Sequence, residues 1–319
     1  TMSKIAVNEI TNEAGTGAPS FNNGINATSL NGGQFGGRRN LIINGAMQVS
    51  QRGDFSNATG ISNNTYYLDR WKIASGVSST VTHTGNRQRV DATGSGTGTL
   101  RIRQQLESQD ITRIAGQQVT LSAKVKSNSA NARLNIFADS WLSGSGNPTH
   151  SGNGNEETLT YTVTLPTGLI SAFTADVGFD GPLSANVAIS SGDYFEVTEV
   201  QLEVGDTATP FEHRSYGEEL ALCQRYYEIV QIRTGSQLGN GSIGIAQNFA
   251  VEKRSSPSIT YGDSIDANNS VFFHRNSGGG GGGTVTMTGI GASVRQISGF
   301  RNSSNLWELR GFVRADAEL

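Results

Sequence analysis

Residues 159–165 have the sequence Leu-Thr-Tyr-Thr-Val-Thr-Leu, in which apolar side chains alternate with threonine. Successive side chains of a β-strand point to opposite faces, so this period of two predicts a strand with one apolar and one polar face. The same alternation recurs in 100–106, 119–126, 134–136 and 173–179. Because turn residues separate these segments, we expect a mainly β fold, an antiparallel sandwich or jelly roll whose sheets are solvated on one side.

Two signals follow at the end of this region. In 195–204 the apolar residues change from odd to even positions, which predicts a bulge or corner near Thr198-Glu199. Ser215 and Glu218 have the spacing of a capping box and precede apolar residues at helical intervals, so a single connecting helix is expected over 215–230.

The composition along the chain predicts four parts. Residues 1–39 are rich in Gly, Asn, Ala and Ser and contain too little apolar surface for a core, so we expect an extended arm that orders only against a partner. The jelly roll is assigned to 40–214, and a smaller C-terminal β domain to 231–319. The glycine run 278–283 is interpreted as a mobile loop between strands, because it lacks the Lys-Ser/Thr of a phosphate loop and no helix follows it.

The overall composition argues against several classes of protein. Charged residues make up 16% of the chain, the net charge is −3 and no segment concentrates Lys and Arg, so no nucleic-acid partner is expected. The single cysteine, Cys223, lies in an apolar helical stretch and is predicted to be a small buried residue. Residues 1–10 do not resemble a signal peptide and no stretch has the length of a membrane span. We therefore expect synthesis in a cytoplasm, no membrane insertion, and exit only with a virus particle or by lysis.

No set of catalytic residues converges in the sequence. Three near pairs of carboxylates are expected on solvated faces, at the bulge and at the helix cap: Asp176 and Asp180, Glu196 and Glu199, Glu218 and Glu219. The four histidines are isolated, no spacing suggests zinc, and neither a Gly-x-Ser-x-Gly motif nor a β-helix repeat is present. The sequence therefore predicts a protein that is not an enzyme and has no cofactor.

The N-terminal pieces Lys-Ile-Ala-Val-Asn-Glu-Ile (4–10) and Gly-Thr-Gly-Ala-Pro (15–19) resemble the start of cyanophage-type and related fibre proteins. Four further motifs resemble, in order and spacing, those of a family of phage tail-fibre and virion surface proteins. They are Asn-Leu-Ile-Ile-Asn-Gly-Ala-Met-Gln-Val-Ser-Gln-Arg-Gly (40–53), Tyr-Leu-Asp-Arg-Trp (67–71), Gln-Leu-Glu-Val-Gly-Asp-Thr-Ala-Thr-Pro-Phe-Glu (201–212) and Tyr-Gly-Glu-Glu-Leu-Ala-Leu-Cys-Gln-Arg-Tyr-Tyr (216–227). The ending Ala-Asp-Ala-Glu-Leu (315–319) is also similar. The resemblance implies a central jelly roll like a carbohydrate-binding module, a virion location, a homotrimer and a role in host attachment.

Two functions remain open at this point. In the first, the chain is a trimeric tail-fibre or receptor-binding component that contacts host surface polysaccharide. In the second, it is a head decoration (cement or head-fibre) protein or a fibre adaptor with a purely architectural role. In both, the arm is expected to contact other virion proteins, because it cannot order alone.

The candidate ligand residues are few. Trp141 precedes a turn-rich stretch that contains His150, and both are candidates for glycan contact together with Tyr194; the alternative for Trp141 is that it plugs the end of the barrel. Trp71 is expected to be a buried strand residue beside an ion pair. Jelly rolls of carbohydrate-binding modules often hold a structural Ca²⁺, for which Asp69 or Asp193 would be the ligands.

Overall fold

A computed structural model of the chain describes residues 38–234, 242–262, 272–276, 283–286, 288–302 and 306–318, with the backbone of three further pairs of residues at 29–30, 33–34 and 237–238. Within the predicted arm, Ser29–Leu30 pairs with Gly33–Gln34. The rest of the arm before Arg38 lies outside the described residues. The predicted glycine loop lies outside them as well, apart from Gly283.

The first part of the chain forms two antiparallel sheets. The six-stranded sheet has the order β10 (Glu156–Thr164), β8 (Gln118–Ser127), β13 (Tyr194–Val204), β5 (Arg87–Ala92), β4 (Ser79–Thr84), β1 (Thr59–Gly60). The five-stranded sheet has the order β9 (Ala132–Ala138), β11 (Phe173–Phe179), β7 (Leu100–Leu106), β3 (Trp71–Ser75), β2 (Tyr66–Leu68). Two short strands, β6 (Gly96–Gly98) and β12 (Val187–Ile189), pair beside them. The chain passes repeatedly from one sheet to the other, as in a jelly roll, which confirms the predicted fold class.

The core lies between the two sheets and contains the apolar residues of the predicted alternation. Leu121 and Val125 of the six-stranded sheet and Ile102 and Val177 of the five-stranded sheet belong to one buried cluster. Trp71 is fully buried in the same cluster, as predicted. Close packing of alternate residues from two facing sheets is what holds such a sandwich together.

The predicted irregularity in β13 is a bulge. Ser122 pairs with Gln201, whereas Lys124 pairs with Thr198, so the register shifts between them. Glu199 has a φ of 51°, the left-handed conformation that one extra residue in a strand can require. The change of parity in the sequence therefore located the bulge correctly.

The predicted helix ends earlier than expected. Helix α2 covers Tyr216–Gln224, after a short helix α1 at Ser108–Thr112, and Ser215 Oγ accepts a hydrogen bond from the N–H of Glu218 at 3.3 Å. The prediction of 215–230 was wrong at its C-terminal end, because β14 (Tyr227–Thr234) begins at once and pairs with the last strand of the chain.

The C-terminal part contains two further antiparallel sheets. In the first, β22 (Leu306–Asp316) lies beside β14 on one edge and beside β17 (Ser258–Gly262) and β18 (Phe272–Asn276) on the other, with β19 (Gly283–Val285) after β18. The second has the order β15 (Gln237–Leu238), β16 (Ser242–Asn248), β21 (Gln296–Asn302), β20 (Thr288–Ala292). Neither α-helix of the described chain is long and apolar enough to cross a membrane.

Candidate functional site

Three of the four sequence motifs (40–53, 67–71 and 216–227) and the ending 315–319 meet at a buried junction between the jelly roll and the C-terminal sheets, which we call the seam. It is formed by Asn44, Gln51, Arg52, Asp69, Arg70, Glu219, Tyr226, Tyr227, Asp316 and Glu318. Most of these residues belong to segments that were singled out in the sequence, including the similar ending at 315–319. Their geometry decides whether the motifs bind a ligand or hold the fold.

Asn44 organises the first motif. Its Oδ1 accepts hydrogen bonds from the N–H groups of Gln48 and Val49, both at 2.9 Å, and its Nδ2 donates to the carbonyl of Asp69 at 3.0 Å. Its own N–H donates to Glu219 Oε1 at 2.5 Å. Asn44 is fully buried, so these bonds replace water and fix the entry to the jelly roll.

The next residue must be glycine for a steric reason. A Cβ on Gly45 would lie 2.1 Å from the carbonyl oxygen of Val200, at the bulge of β13. The indole N–H of Trp71 donates to the carbonyl of Asn44 at 3.0 Å. The first motif is therefore joined to the second through the Trp71 side chain, and the N–H of Leu41 donates to the carbonyl of Leu202 in the third motif at 2.9 Å.

Two arginines of the seam lie over tyrosine rings. Arg70 is 3.6 Å from the ring centroid of Tyr226, and Arg52 is 3.9 Å from that of Tyr227. Glu318, near the chain end, pairs with both arginines. Because these groups are buried and each arginine has an acid partner, the arrangement is typical of a structural ion-pair network.

Asp69 belongs to this network. Its carboxylate accepts hydrogen bonds from the N–H of Gln51 at 2.5 Å and from Gln51 Nε2 at 2.7 Å. Burial raises its pKa to about 6, although the attraction of Arg52 opposes this shift. Asp193, the other suggested calcium ligand, accepts from the N–H of Ser190 in the turn before β13. The two are not brought together, and no cluster of three His, Cys, Asp or Glu suited to a metal occurs among the described residues.

A different surface lies on the side of the five-stranded sheet that points away from the core, which we call the five-strand face. The strand registers arrange its side chains in three rows. The rows are Arg133–Gly178–Arg101–Ala74, Asn135–Asp176–Arg103–Lys72–Tyr66 and Phe137–Thr174–Gln105.

The acids of this face are buried, which corrects the expectation that Asp176 and Asp180 lie on a solvated surface. Arg101 Nε lies 2.9 Å from Asp176 Oδ2, and its Nη1 donates to Asp180. Arg103 Nη2 donates to the same Asp176 oxygen at 2.6 Å. Both carboxylates are at most 3% exposed. Two arginines pair with them, and neither carboxylate is open to solvent.

For the other two carboxylate pairs, the expectation that they are exposed to solvent holds only in part. Glu218 is exposed, but Glu219 is buried and bonds Asn44 and Arg214, which lies 3.3 Å away. Glu196 and Glu199 are half-buried and pair with Arg and Lys side chains of the six-stranded sheet.

Two cations of the five-strand face have no acid partner. Arg133 is 9% exposed, and its Nε is buried without a hydrogen bond. Lys72 is half-buried. Neither forms an ion pair with any residue that the structure describes. Burial lowers the pKa of both side chains, and the nearby Arg103 lowers that of Lys72 further.

Trp141 stands at the edge of this face. Its ring packs edge-on against Phe137, with 5.3 Å between centroids, and Arg101 lies 4.9 Å from its centroid. The ring is partly exposed, so it does not serve only as a buried plug. Arg101 also reaches Ser184 Oγ at 2.5 Å, next to Leu183, whose side chain is 49% exposed at a φ of 52°. A partly exposed aromatic ring beside fixed polar groups can stack on the C–H face of a sugar.

The two other candidates do not join Trp141. His150 is buried, and the expectation that it contacts a ligand is not supported by its position: its Nε2 bonds the carbonyl of Asn155 at 2.9 Å, and its Nδ1 accepts from the N–H of Gly152 at 2.8 Å. Tyr194 lies on the outer side of the six-stranded sheet, the six-strand face, with Arg89 3.8 Å from its ring. The two exposed aromatic candidates are therefore on opposite sheets.

The six-strand face contains two open clefts that share Glu199. One has a volume of about 610 Å³ and the other about 560 Å³. Their charges are balanced, since Lys124 pairs with Glu199 at 2.9 Å and Arg89 with Glu196 at 2.9 Å. These clefts lack the unpaired cations of the five-strand face.

The sequence contained a signal for the five-strand face that was not used. Arg101 and Arg103 alternate with apolar residues in β7. Asp176 likewise lies between apolar residues in β11, so all three side chains are on the polar side of their strands. What could not be foreseen is that the register sets Asp176 directly opposite Arg103.

The chain is similar to solved carbohydrate-binding modules at low sequence identity. No family model and no curated protein matches the chain. Among solved structures, a CBM4 module is 17% identical over 48% of this chain and 99% of its own, with a TM-score of 0.32. The xylan-binding CBM22-1 domain of Xyn10C from Paenibacillus barcinonensis is 14% identical over 49% of this chain and 99% of its own, with a TM-score of 0.30.

A phage structure is among the similar ones. The tripod from the baseplate of bacteriophage Tuc2009 is 17% identical over 56% of this chain and 59% of its own, with a TM-score of 0.33. These TM-scores are below 0.5, so the assignment to a jelly roll rests on the strand order and register given above.

Proposed function

We propose that this chain is a bacteriophage virion protein, a homotrimeric tail-fibre or receptor-binding component that contacts host surface glycan and is not an enzyme. The observation that carries the glycan role is Trp141, a partly exposed ring at the edge of the polar rows of the five-strand face. The resemblance of the four motifs supports the virion location. The composition of residues 1–39 supports contact with a second copy and with other virion proteins.

The chemistry of the five-strand face suits sugar recognition. Asn135 donates to Asp180 at 2.8 Å, Arg101 holds Asp176 and Asp180, and Trp141 packs beside Arg101. Polar groups held in place by one another keep their geometry before a ligand arrives, which lowers the entropy lost on binding. The carboxylates are occupied by arginines, which supports binding without hydrolysis.

One observation favours the architectural alternative, a head decoration protein or fibre adaptor. The residues of the seam that come from the motifs, such as Asn44, Arg70 and Tyr226, are buried in structural contacts. The motifs that resemble the phage family therefore stabilise the fold. They would be needed equally in an architectural protein that binds no glycan.

The test is binding of the labelled full chain to an array of bacterial surface polysaccharides, with two matched variants. Trp141→Ala removes the ring of the five-strand face, and Tyr194→Ala removes a ring on the other sheet that is also half-buried and has an arginine over it. We expect saturable binding that Trp141→Ala abolishes and Tyr194→Ala preserves. Absence of binding by a folded trimer would favour the architectural role, and a monomeric mass by light scattering would contradict the trimer.

A further inference from the structure

The charges on the five-strand face do not balance. Its rows and the adjoining turn contain four cations, Lys72, Arg101, Arg103 and Arg133, against two carboxylates, Asp176 and Asp180. Arg101 and Arg103 use both acids. Two positive charges are therefore left over on one sheet surface of a chain whose net charge is −3.

The unpaired cation at one edge is costly for the fold. Arg133 is nine-tenths buried and pairs with no acid among the described residues, and a buried charge without an acid is unfavourable. Each cation of the six-strand clefts, by contrast, has a carboxylate within 3 Å: Arg89 with Asp91 and Glu196, Arg87 with Glu156, Lys124 with Glu199. The imbalance is thus a local property of one face, and an anion from outside would compensate it.

From these observations we infer that the glycan bound at the five-strand face is an acidic oligosaccharide, whose anionic groups pair with Arg133 and Lys72 while a sugar ring stacks on Trp141. This inference rests on the proposed glycan site. A guanidinium binds carboxylate and sulfate groups through two parallel hydrogen bonds, and an ammonium supplies a point charge.

The spacing of the two cations sets the size of the ligand. Arg133 lies on β9 and Lys72 on β3, and three strand spacings separate these strands in the sheet, roughly 14 Å. The two cations also lie in different rows of the sheet, so a ligand that pairs with both extends across several strands. The ligand is therefore a segment of a polysaccharide with more than one acidic residue, oriented across the strands.

The experiment compares charged and neutral forms of the same polymers with the full chain. The probes are immobilised polygalacturonate, its carboxyl-reduced form, dextran sulfate and dextran, at 0.15 M and 1 M salt. We expect binding to a charged polymer and at least about tenfold weaker binding to its neutral form, with a loss at high salt. The carboxylate and sulfate arms distinguish the two kinds of anion.

Three variants test the assignment to residues. Arg133→Gln and Lys72→Gln are each expected to weaken binding to the charged polymer about tenfold, the effect of losing one charged hydrogen bond. Arg113→Gln, at an exposed arginine beyond the end of α1, is the control and should bind as the parent does. Melting curves of all variants show that each is folded, and Lys72→Gln provides an independent test if Arg133→Gln does not fold.

The outcomes separate this inference from the proposed function. Equal binding to charged and neutral polymers that Trp141→Ala abolishes would keep the glycan site and overturn its preference for anions. Charge-dependent binding that Arg133→Gln and Lys72→Gln leave unchanged would overturn it as well. No binding to any of the four polymers would overturn the preference for anions, and the glycan site itself would be overturned only if the polysaccharide array gave no binding as well.

Discussion

The seam and the five-strand face contain the same pair of groups, an arginine over an aromatic ring, in different surroundings. In the seam, Arg70 lies 3.6 Å from the ring of Tyr226, both are buried, and Glu318 pairs with the arginine. On the face, Arg101 lies 4.9 Å from the ring of Trp141, which is partly exposed. The first arrangement is closed to ligands, whereas the second leaves a ring surface free.

The pairing of the cations makes the same distinction. In the seam each arginine has an acid partner, because Glu318 pairs with both Arg52 and Arg70 and Asp316 pairs with Arg52. The five-strand face has more cations than acids. A network in which every cation has an acid partner within the chain holds the fold together. A network in which some cations have no acid partner suggests an anion from outside the chain. The comparison thus separates residues that hold the fold from those that we propose to bind.

The largest expected effect is on the seam side, at Trp71. Trp71→Ala removes a fully buried indole and leaves the carbonyl of Asn44 without its donor, so we expect the free energy of unfolding to fall by about 3–5 kcal/mol. Urea denaturation measures this loss. Trp71→Phe keeps most of the volume and should cost less than half as much. An unchanged stability of Trp71→Ala would show that the ring is not part of the core.

The next effect tests the ion pairs of the seam. Glu318→Gln leaves the buried Arg70 without a counter-charge, and we expect a loss of about 3 kcal/mol. The control is Glu252→Gln, whose partner Arg295 is 77% exposed, and its cost should stay below about 0.5 kcal/mol. Losses of similar size in the two variants would contradict the contrast between a closed network and a surface pair.

The seam also gives a dependence on pH. The pKa of Asp69 in the folded chain is about 6, against an ordinary value of 3.8. Between pH 6 and 4 the folded state takes up a proton that the unfolded state does not, so its stability rises as pH falls, by about 2–3 kcal/mol from this group. Above pH 6 this gain is absent. Urea titrations from pH 4 to 7 should show the rise in the parent and its loss in Asp69→Asn; identical slopes in both would refute the assignment.

The sequence predicted the strands better than the helix end. The alternation in 119–126 and 159–165 identified β8 and β10, and the change of parity at Thr198-Glu199 identified the bulge. The end of α2 was missed because 227–234 contains aromatic and β-branched residues that suit a strand, and its pairing with β22 is a contact far along the chain. Local patterns do not contain such contacts.

The site was predicted less completely, for a related reason. Trp141 was identified because a tryptophan next to a turn-rich stretch is a plausible exposed ring. His150 was misplaced because its stretch folds back on β9, where its N–H donates to the carbonyl of Ala132 at 2.8 Å. Arg133 and Lys72 were not singled out, since only the order of strands in the sheet places them on one face.

The smallest expected change in stability is at Trp141, and it sharpens the comparison most. Trp141→Ala loses the edge-on contact with Phe137 and the arginine above the ring, about 1 kcal/mol in total, because the ring is already partly in solvent. Tyr194→Ala, which loses its contact with Arg89, should cost about the same. If only Trp141→Ala then loses glycan binding, the small effect on folding and the large effect on binding place the function on the five-strand face. If only Tyr194→Ala loses it, the ligand lies over the clefts of the six-strand face, and unpaired charge does not mark the binding surface of this protein.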